Sequence, residues 1–135
     1  ISKDAIIANS VKIGANSFIG ENVQIDEGTI IDNNVTIIKN TKIGKNNHIY
    51  PNVVIGGDPQ DFKFKDEITN IIIGDNNLIR EFCTIHLSSK PDDPTIVGSN
   101  CLLMVGSHIA HNCKIGNKII ITNYIIFLDC FNVEI

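Results

Sequence analysis

Every sixth residue from Ile1 is an isoleucine: Ile7, Ile13, Ile19, Ile25, Ile31, Ile37, Ile43, Ile49 and Ile55 fall in one register without exception. The register resumes in phase at Ile73, Ile79 and Ile85, and again at Val97, Leu103, Ile109, Ile115, Ile121, Phe127 and Val133. Neither a helix, with period 3.6, nor a lone strand, with period 2, produces this spacing. Four places after most anchors stands a small or β-branched residue, as at Ala5, Val11, Ser17, Val23, Thr29, Val35, Thr41 and Val53, and these side chains are also expected to point inward. Gly often follows the anchor directly (Gly14, Gly20, Gly44, Gly56, Gly74, Gly98, Gly116). Two places further on Asn recurs, at Asn16, Asn22, Asn34, Asn40, Asn46, Asn52, Asn76, Asn100 and Asn112. Both residue types tolerate the left-handed backbone that a tight corner demands. Short strand, corner, short strand describes an all-β parallel β-helix built from hexapeptides.

The chain has 135 residues, 43% hydrophobic, enough for one compact unit with a real core. Eleven Lys and Arg are scattered without a basic run, and the net charge is -4, which argues against a nucleic-acid surface. No stretch approaches the ~18 consecutive apolar residues of a membrane span, and the first residues lack a signal-peptide core, so a cytoplasmic location is expected. The four cysteines, Cys83, Cys101, Cys113 and Cys130, form no CxxC pair and are expected as reduced thiols.

The repeat fails twice. GGDPQDFKFKDEITN interrupts it between Ile55 and Ile73, and HLSSKPDDPTI between Ile85 and Val97. Both segments are polar and proline-containing, so each is expected to leave the coil as an extruded loop, where binding groups usually sit. The stretch SHIAHNCKIG then carries two histidines on one hexad: His108 one place before the anchor Ile109, and His111 two places after it. Neither position points into the core. With His86 at the mouth of the second loop, they mark a site rather than solvated surface. Neutral imidazole is the default general base near pH 7.

The hexad pattern resembles the left-handed, three-sided β-helix of the hexapeptide-repeat acyltransferases, with three hexads to a coil. That geometry implies that residues 18 apart stack at about 4.8 Å, the strand spacing, and that Cys83 lies under Cys101. The motifs IGDNNLIREFCTIH (73–86), PQDFK (59–63) and LLMVGSHIAHNCKIGN (102–117) narrow the resemblance. Together they are similar to the acyl-carrier-protein: UDP-N-acetylglucosamine O-acyltransferases of lipid A synthesis, over residues 1 to about 123.

The resemblance implies transfer of an R-3-hydroxyacyl group from acyl carrier protein to the 3-hydroxyl of UDP-N-acetylglucosamine, with His111 as catalytic base. It places His108, His86, Asp61 and Lys63 along the sugar-nucleotide site with Gln60 in the same loop, and implies no cofactor or metal. It implies a homotrimer with sites between neighbouring subunits. The oxyanion donor is expected to be the backbone N–H one coil above the base, at Asp129, where the family has Gly; Cys130 replaces a family His, and Asn112 stands where the family often has Asp. The family's further coils and C-terminal helical domain are not in this sequence, so a single truncated β-helix without turnover is expected. Two other readings are a zinc-dependent β-helical carbonic anhydrase, with His86, His108 and His111 as ligands, and a non-catalytic β-helix.

Overall fold

A computed structural model describes residues 1–128 and the backbone of the strand Asn132–Val133. Parallel strands, most of them two or three residues long, wind into a left-handed β-helix. Among the described residues, an eleven-stranded sheet supplies two faces. They are joined through the eight-residue strands Phe18–Ile25 and Thr36–Ile43, which each continue from one face into the next. A six-stranded sheet running from Lys12–Ile13 to Ile120–Ile121 forms the third face. So short a strand persists because its backbone bonds to the coils on both sides: Thr36 N–H donates to Val53 O at 3.0 Å, and Phe18 N–H to Val35 O at 2.8 Å. No helix among the described residues is long and apolar enough to cross a membrane.

The register is the one the hexad pattern predicts. Ile19 pairs with Ile37 and Ile31 with Ile49, a step of 18. Across the first loop the step is 30, Ile43 to Ile73 and Ile49 to Ile79. Across the second it is 24, Ile79 to Leu103 and Ile85 to Ile109. Each interruption therefore inserts whole hexads outside the coil and leaves the anchors stacked. The anchors from Ile19 to Ile121 are essentially without solvent exposure. Each buried isoleucine contributes about 1.5–3 kcal/mol relative to exposure.

The loop offset corrects one expectation: Cys83 does not stack on Cys101. Thr84 pairs with His108, so Cys83 lies beneath Ser107, its Sγ 3.2 Å from that hydroxyl. Cys101 tops a different column, Thr29–Asn47–Asn77–Cys101, in which each residue holds the next. Thr29 Oγ1 accepts from Asn47 N–H at 3.2 Å, Asn47 Oδ1 from Asn77 N–H at 2.9 Å, and Asn77 Oδ1 from Cys101 N–H at 2.8 Å. The two amide groups donate in turn to Gly74 and Gly98 carbonyls, so these buried polar side chains are satisfied. Cys83 and Cys101 are free thiols as expected, but Cys113 is disulfide-bonded, a departure from the all-reduced expectation.

All nine corner asparagines adopt the left-handed conformation, with φ between 49° at Asn40 and 67° at Asn52. The glycines after the anchors have another reason. Of the seven only Gly56 has positive φ. A Cβ on Gly44, Gly74 or Gly98 would sit 2.6, 2.7 or 2.6 Å from the carbonyl oxygen of the glycine one coil above. Close stacking of coils, rather than corner geometry, selects Gly there.

Candidate functional site

The strands Thr84–His86 and His108–Ile109 lie side by side in parallel register. Their anchors Ile85 and Ile109 point inward, so Thr84 and His108 project outward together, and Thr84 Oγ1 lies 2.6 Å from His108 Nδ1. The register slips between Ile85 and His86, bringing His86 opposite Gly57 on the other neighbouring coil. A Cβ on Gly57 would stand 3.1 Å from the His86 ring, so the missing side chain leaves the imidazole its place. The slip also aims His86 at its neighbour: the His86 and His108 rings meet edge to face, centroids 4.6 Å apart at 78°.

Burial, then the like charges of His108 and His111, lower the pKa of His86 to about 4, against a smaller opposing pull from Asp58. Burial also lowers that of His108. Both rings are therefore neutral at pH 7. His108 Nε2 is buried without a hydrogen-bond partner, an arrangement that costs about 1–3 kcal/mol.

His111 stands at the following corner, with Asn112 at φ 64°. Its Nδ1 lies 2.9 Å from Asn112 Oδ1. That oxygen also accepts from the backbone N–H and hydroxyl of Ser89, at 2.9 and 2.8 Å. The second loop is thereby docked against Asn112 beside His111, and Asp93 completes the contact by accepting from Asn112 Nδ2 at 2.9 Å.

The first loop folds on itself. Asp61 Oδ1 accepts from Lys63 N–H at 2.9 Å, and Pro59, Gln60, Asp61 and Phe62 line an open hollow of about 340 Å³, with the Phe62 side chain fully exposed. No hydrogen bond or ion pair among the described residues joins Gln60, Asp61 or Lys63 to the histidines. The structure thus assembles His86, His108 and His111 within one chain, with Gly57 and Asp58 of the first loop beside His86 and no such bond from Gln60, Asp61 or Lys63. Asp129 and Cys130 lie outside the described residues. Thr84, Gly57, Ser89 and Asp93 were not singled out from the sequence; the loop offsets that bring them to the histidines become visible only in the strand register.

The remaining histidine belongs elsewhere. His48, on the six-stranded face, bonds Asp32 at 2.9 Å and stacks on Tyr50 at 4.0 Å, with the Arg80 guanidinium 4.5 Å over the Tyr50 ring. Among the described residues of this one chain no three His, Cys, Asp or Glu side chains converge as a metal-binding set.

Residues 22–57 match the bacterial transferase hexapeptide (six repeats) family. Over 75 residues the chain is 48% identical to an acyl-[acyl-carrier-protein]--UDP-N-acetylglucosamine O-acyltransferase of Thermodesulfovibrio yellowstonii, a match covering 55% of this chain and 29% of that protein. The chain is a relative of the UDP-N-acetylglucosamine O-acyltransferases. Solved structures of such acyltransferases superpose on most of it. The Francisella novicida acyltransferase is 43% identical with a TM-score of 0.86, covering 89% of this chain and 44% of its own. The Moraxella catarrhalis acyltransferase is 40% identical with a TM-score of 0.83, covering 91% and 55%. The chain therefore spans about half or less of the length of these acyltransferases.

Proposed function

We propose that this chain is the β-helical part of an acyltransferase that moves an R-3-hydroxyacyl group from acyl carrier protein to the 3-hydroxyl of UDP-N-acetylglucosamine, the first step of lipid A synthesis. The observation that carries the reading is His111 bonded through Nδ1 to Asn112, beside two neutral histidines, on a chain 48% identical over 75 residues to such an enzyme. His111 Nε2 removes the proton of the sugar hydroxyl as that oxygen attacks the thioester carbonyl. The new C–O bond forms, the C–S bond breaks, and the imidazolium returns its proton to the departing thiolate of the carrier. No acyl-enzyme forms. A general base of this kind is worth about 10² to 10⁴ in rate. The negative charge on the carbonyl oxygen calls for a preorganised backbone N–H, which the reading assigns to Asp129.

His86 and His108 offer uncharged rings to the sugar nucleotide. Gln60, Asp61 and Lys63 complete the sugar-nucleotide site from a neighbouring copy, which accounts for their separation from the histidines within one chain. The working form on this reading is a cytoplasmic homotrimer with parallel axes, needing no cofactor or metal. Calorimetric titration of the purified chain with UDP-N-acetylglucosamine tests it. Saturable binding that weakens in His108→Ala and in Asp61→Ala is expected, and equal behaviour with UDP-glucose or unchanged binding in both variants contradicts the assignment.

A further inference from the structure

We infer that the loop from Ser88 to Pro94 sets the tautomer of His111: through Ser89 and Asp93 it fixes which end of the Asn112 amide faces the ring, and so leaves the ring's lone pair on Nε2. The use of that lone pair as a base rests on the proposed function; the assignment of the proton does not.

An amide side chain has two ends of nearly the same shape, one accepting and one donating. At Asn112 the neighbours distinguish them. The backbone N–H and hydroxyl of Ser89 point at one end, at 2.9 and 2.8 Å, and the Asp93 carboxylate lies 2.9 Å from the other, with the Asp93 carbonyl at 3.4 Å. In the reversed orientation an NH₂ group would face the Ser89 N–H and a carbonyl would face a carboxylate. Both contacts would then repel. Oδ1 is thus held on the side of Ser89 and of His111.

Because Oδ1 can only accept, the His111 Nδ1 at 2.9 Å must carry a proton. Neutral imidazole has one proton, so Nε2 is an acceptor. The remaining contacts immobilise the arrangement. Asn112 N–H donates to Thr95 Oγ1 at 2.9 Å, Lys114 pairs with Asp93 at 2.8 Å, and the same ammonium donates to the Pro94 carbonyl. Within the loop, Ser88 Oγ and Asp93 N–H both bond the Lys90 carbonyl, at 2.9 and 3.2 Å. Lys114 first, then Asn112, holds the Asp93 carboxyl below the usual carboxylate range, so it is an anion, and a pure acceptor, at neutral pH. Ser89, Asp93 and Lys114 touch Asn112 or one another and act through it. They are positioning residues. Proton uptake by the ring then places its positive charge against Oδ1, on an amide whose other end bonds a carboxylate.

The test reads the proton directly. The chain labelled with ¹⁵N in its histidines is studied by NMR at a pH where His111 is neutral, its signals assigned with His111→Gln. Native chain should show His111 protonated on Nδ1 and bare on Nε2. Asn112→Asp, which keeps an acceptor, should retain that state. Asn112→Leu should release the proton to Nε2, the form that free imidazole side chains prefer. Asp93→Ala, in the exposed loop, should lower the Nδ1–H fraction and serves if Asn112→Leu does not fold. A native chain with the proton on Nε2 overturns the inference, as does an Nδ1–H state unmoved in both Asn112→Leu and Asp93→Ala. No substrate enters this measurement. A chain that fails to bind UDP-N-acetylglucosamine yet shows the Nδ1–H form defeats the proposed function and leaves this inference standing; the converse result defeats this inference alone.

Discussion

His86 is a buried neutral ring in the fold and an ordinary histidine once unfolded, so it ties stability to pH. Its folded pKa is about 4, against a reference of 6.5. Between those values the unfolded chain binds a proton that the folded chain refuses, so stability is fully present above pH 6.5 and falls as pH drops toward 4. The linkage relation gives a loss of about 2 kcal/mol between pH 7 and pH 5. Solvent screening of a half-buried ring reduces this to about 1 kcal/mol. For a chain of this length, that corresponds to roughly 3 °C in melting temperature. The assay is thermal unfolding followed by circular dichroism, with native chain and His86→Gln each melted at pH 7 and pH 5. Other groups titrate in both proteins, including His108, and largely cancel in the comparison. Native chain should lose about 1 kcal/mol more than the variant on acidification. Equal losses would refute the claim that burial against His108 and His111 keeps this ring unprotonated.

Gly74→Ala should destabilise the fold by about 1–3 kcal/mol, because the new Cβ would meet the Gly98 carbonyl carbon at 2.9 Å and its oxygen at 2.7 Å, and stacked backbone does not yield as a side chain does; urea unfolding measures it. Ile79→Ala, in the middle of the column Ile49–Ile79–Leu103, should cost about 2–5 kcal/mol by the same assay. Sedimentation at micromolar concentration should show a trimer, and a stable monomer would contradict the shared-site arrangement of the first loop and the histidines.

The core was legible because a coil of three hexads returns each anchor to the same interior column: from Ile19 on, the isoleucines at six-residue spacing are buried, and the asparagines three places past an anchor take positive φ. Two loops that add whole hexads preserve this phase, which is why Ile73 and Val97 could be placed without the structure. Pairing between coils was less legible, since it depends on the loop lengths as well as the period. A step of 18 put Cys83 under Cys101, whereas the true step of 24 puts it under Ser107. The same offset hid Thr84 as the neighbour of His108. Asn47 and Asn77 stand four places past Ile43 and Ile73, in the inward class of position, and these polar side chains are accommodated there because each caps a glycine carbonyl and the next coil's N–H. The glycines illustrate a right residue with a different cause: at Gly14, Gly20, Gly44, Gly74 and Gly98 contact between coils, not backbone freedom, requires them. His108 and His111 stood out by pattern, but the docking of Ser89 and Asp93 on Asn112 is a tertiary contact that no local motif encodes.

In the proposed function His111 removes the proton from the attacking hydroxyl. Its most direct measurement is acyl transfer from 3-hydroxyacyl carrier protein to UDP-N-acetylglucosamine by this β-helix, completed with the C-terminal part of the Francisella novicida relative, with and without His111→Ala. The substitution should lower kcat by at least ~10²-fold while sugar-nucleotide affinity and the β-helical circular dichroism remain. Turnover within a few-fold of the unsubstituted protein would contradict it.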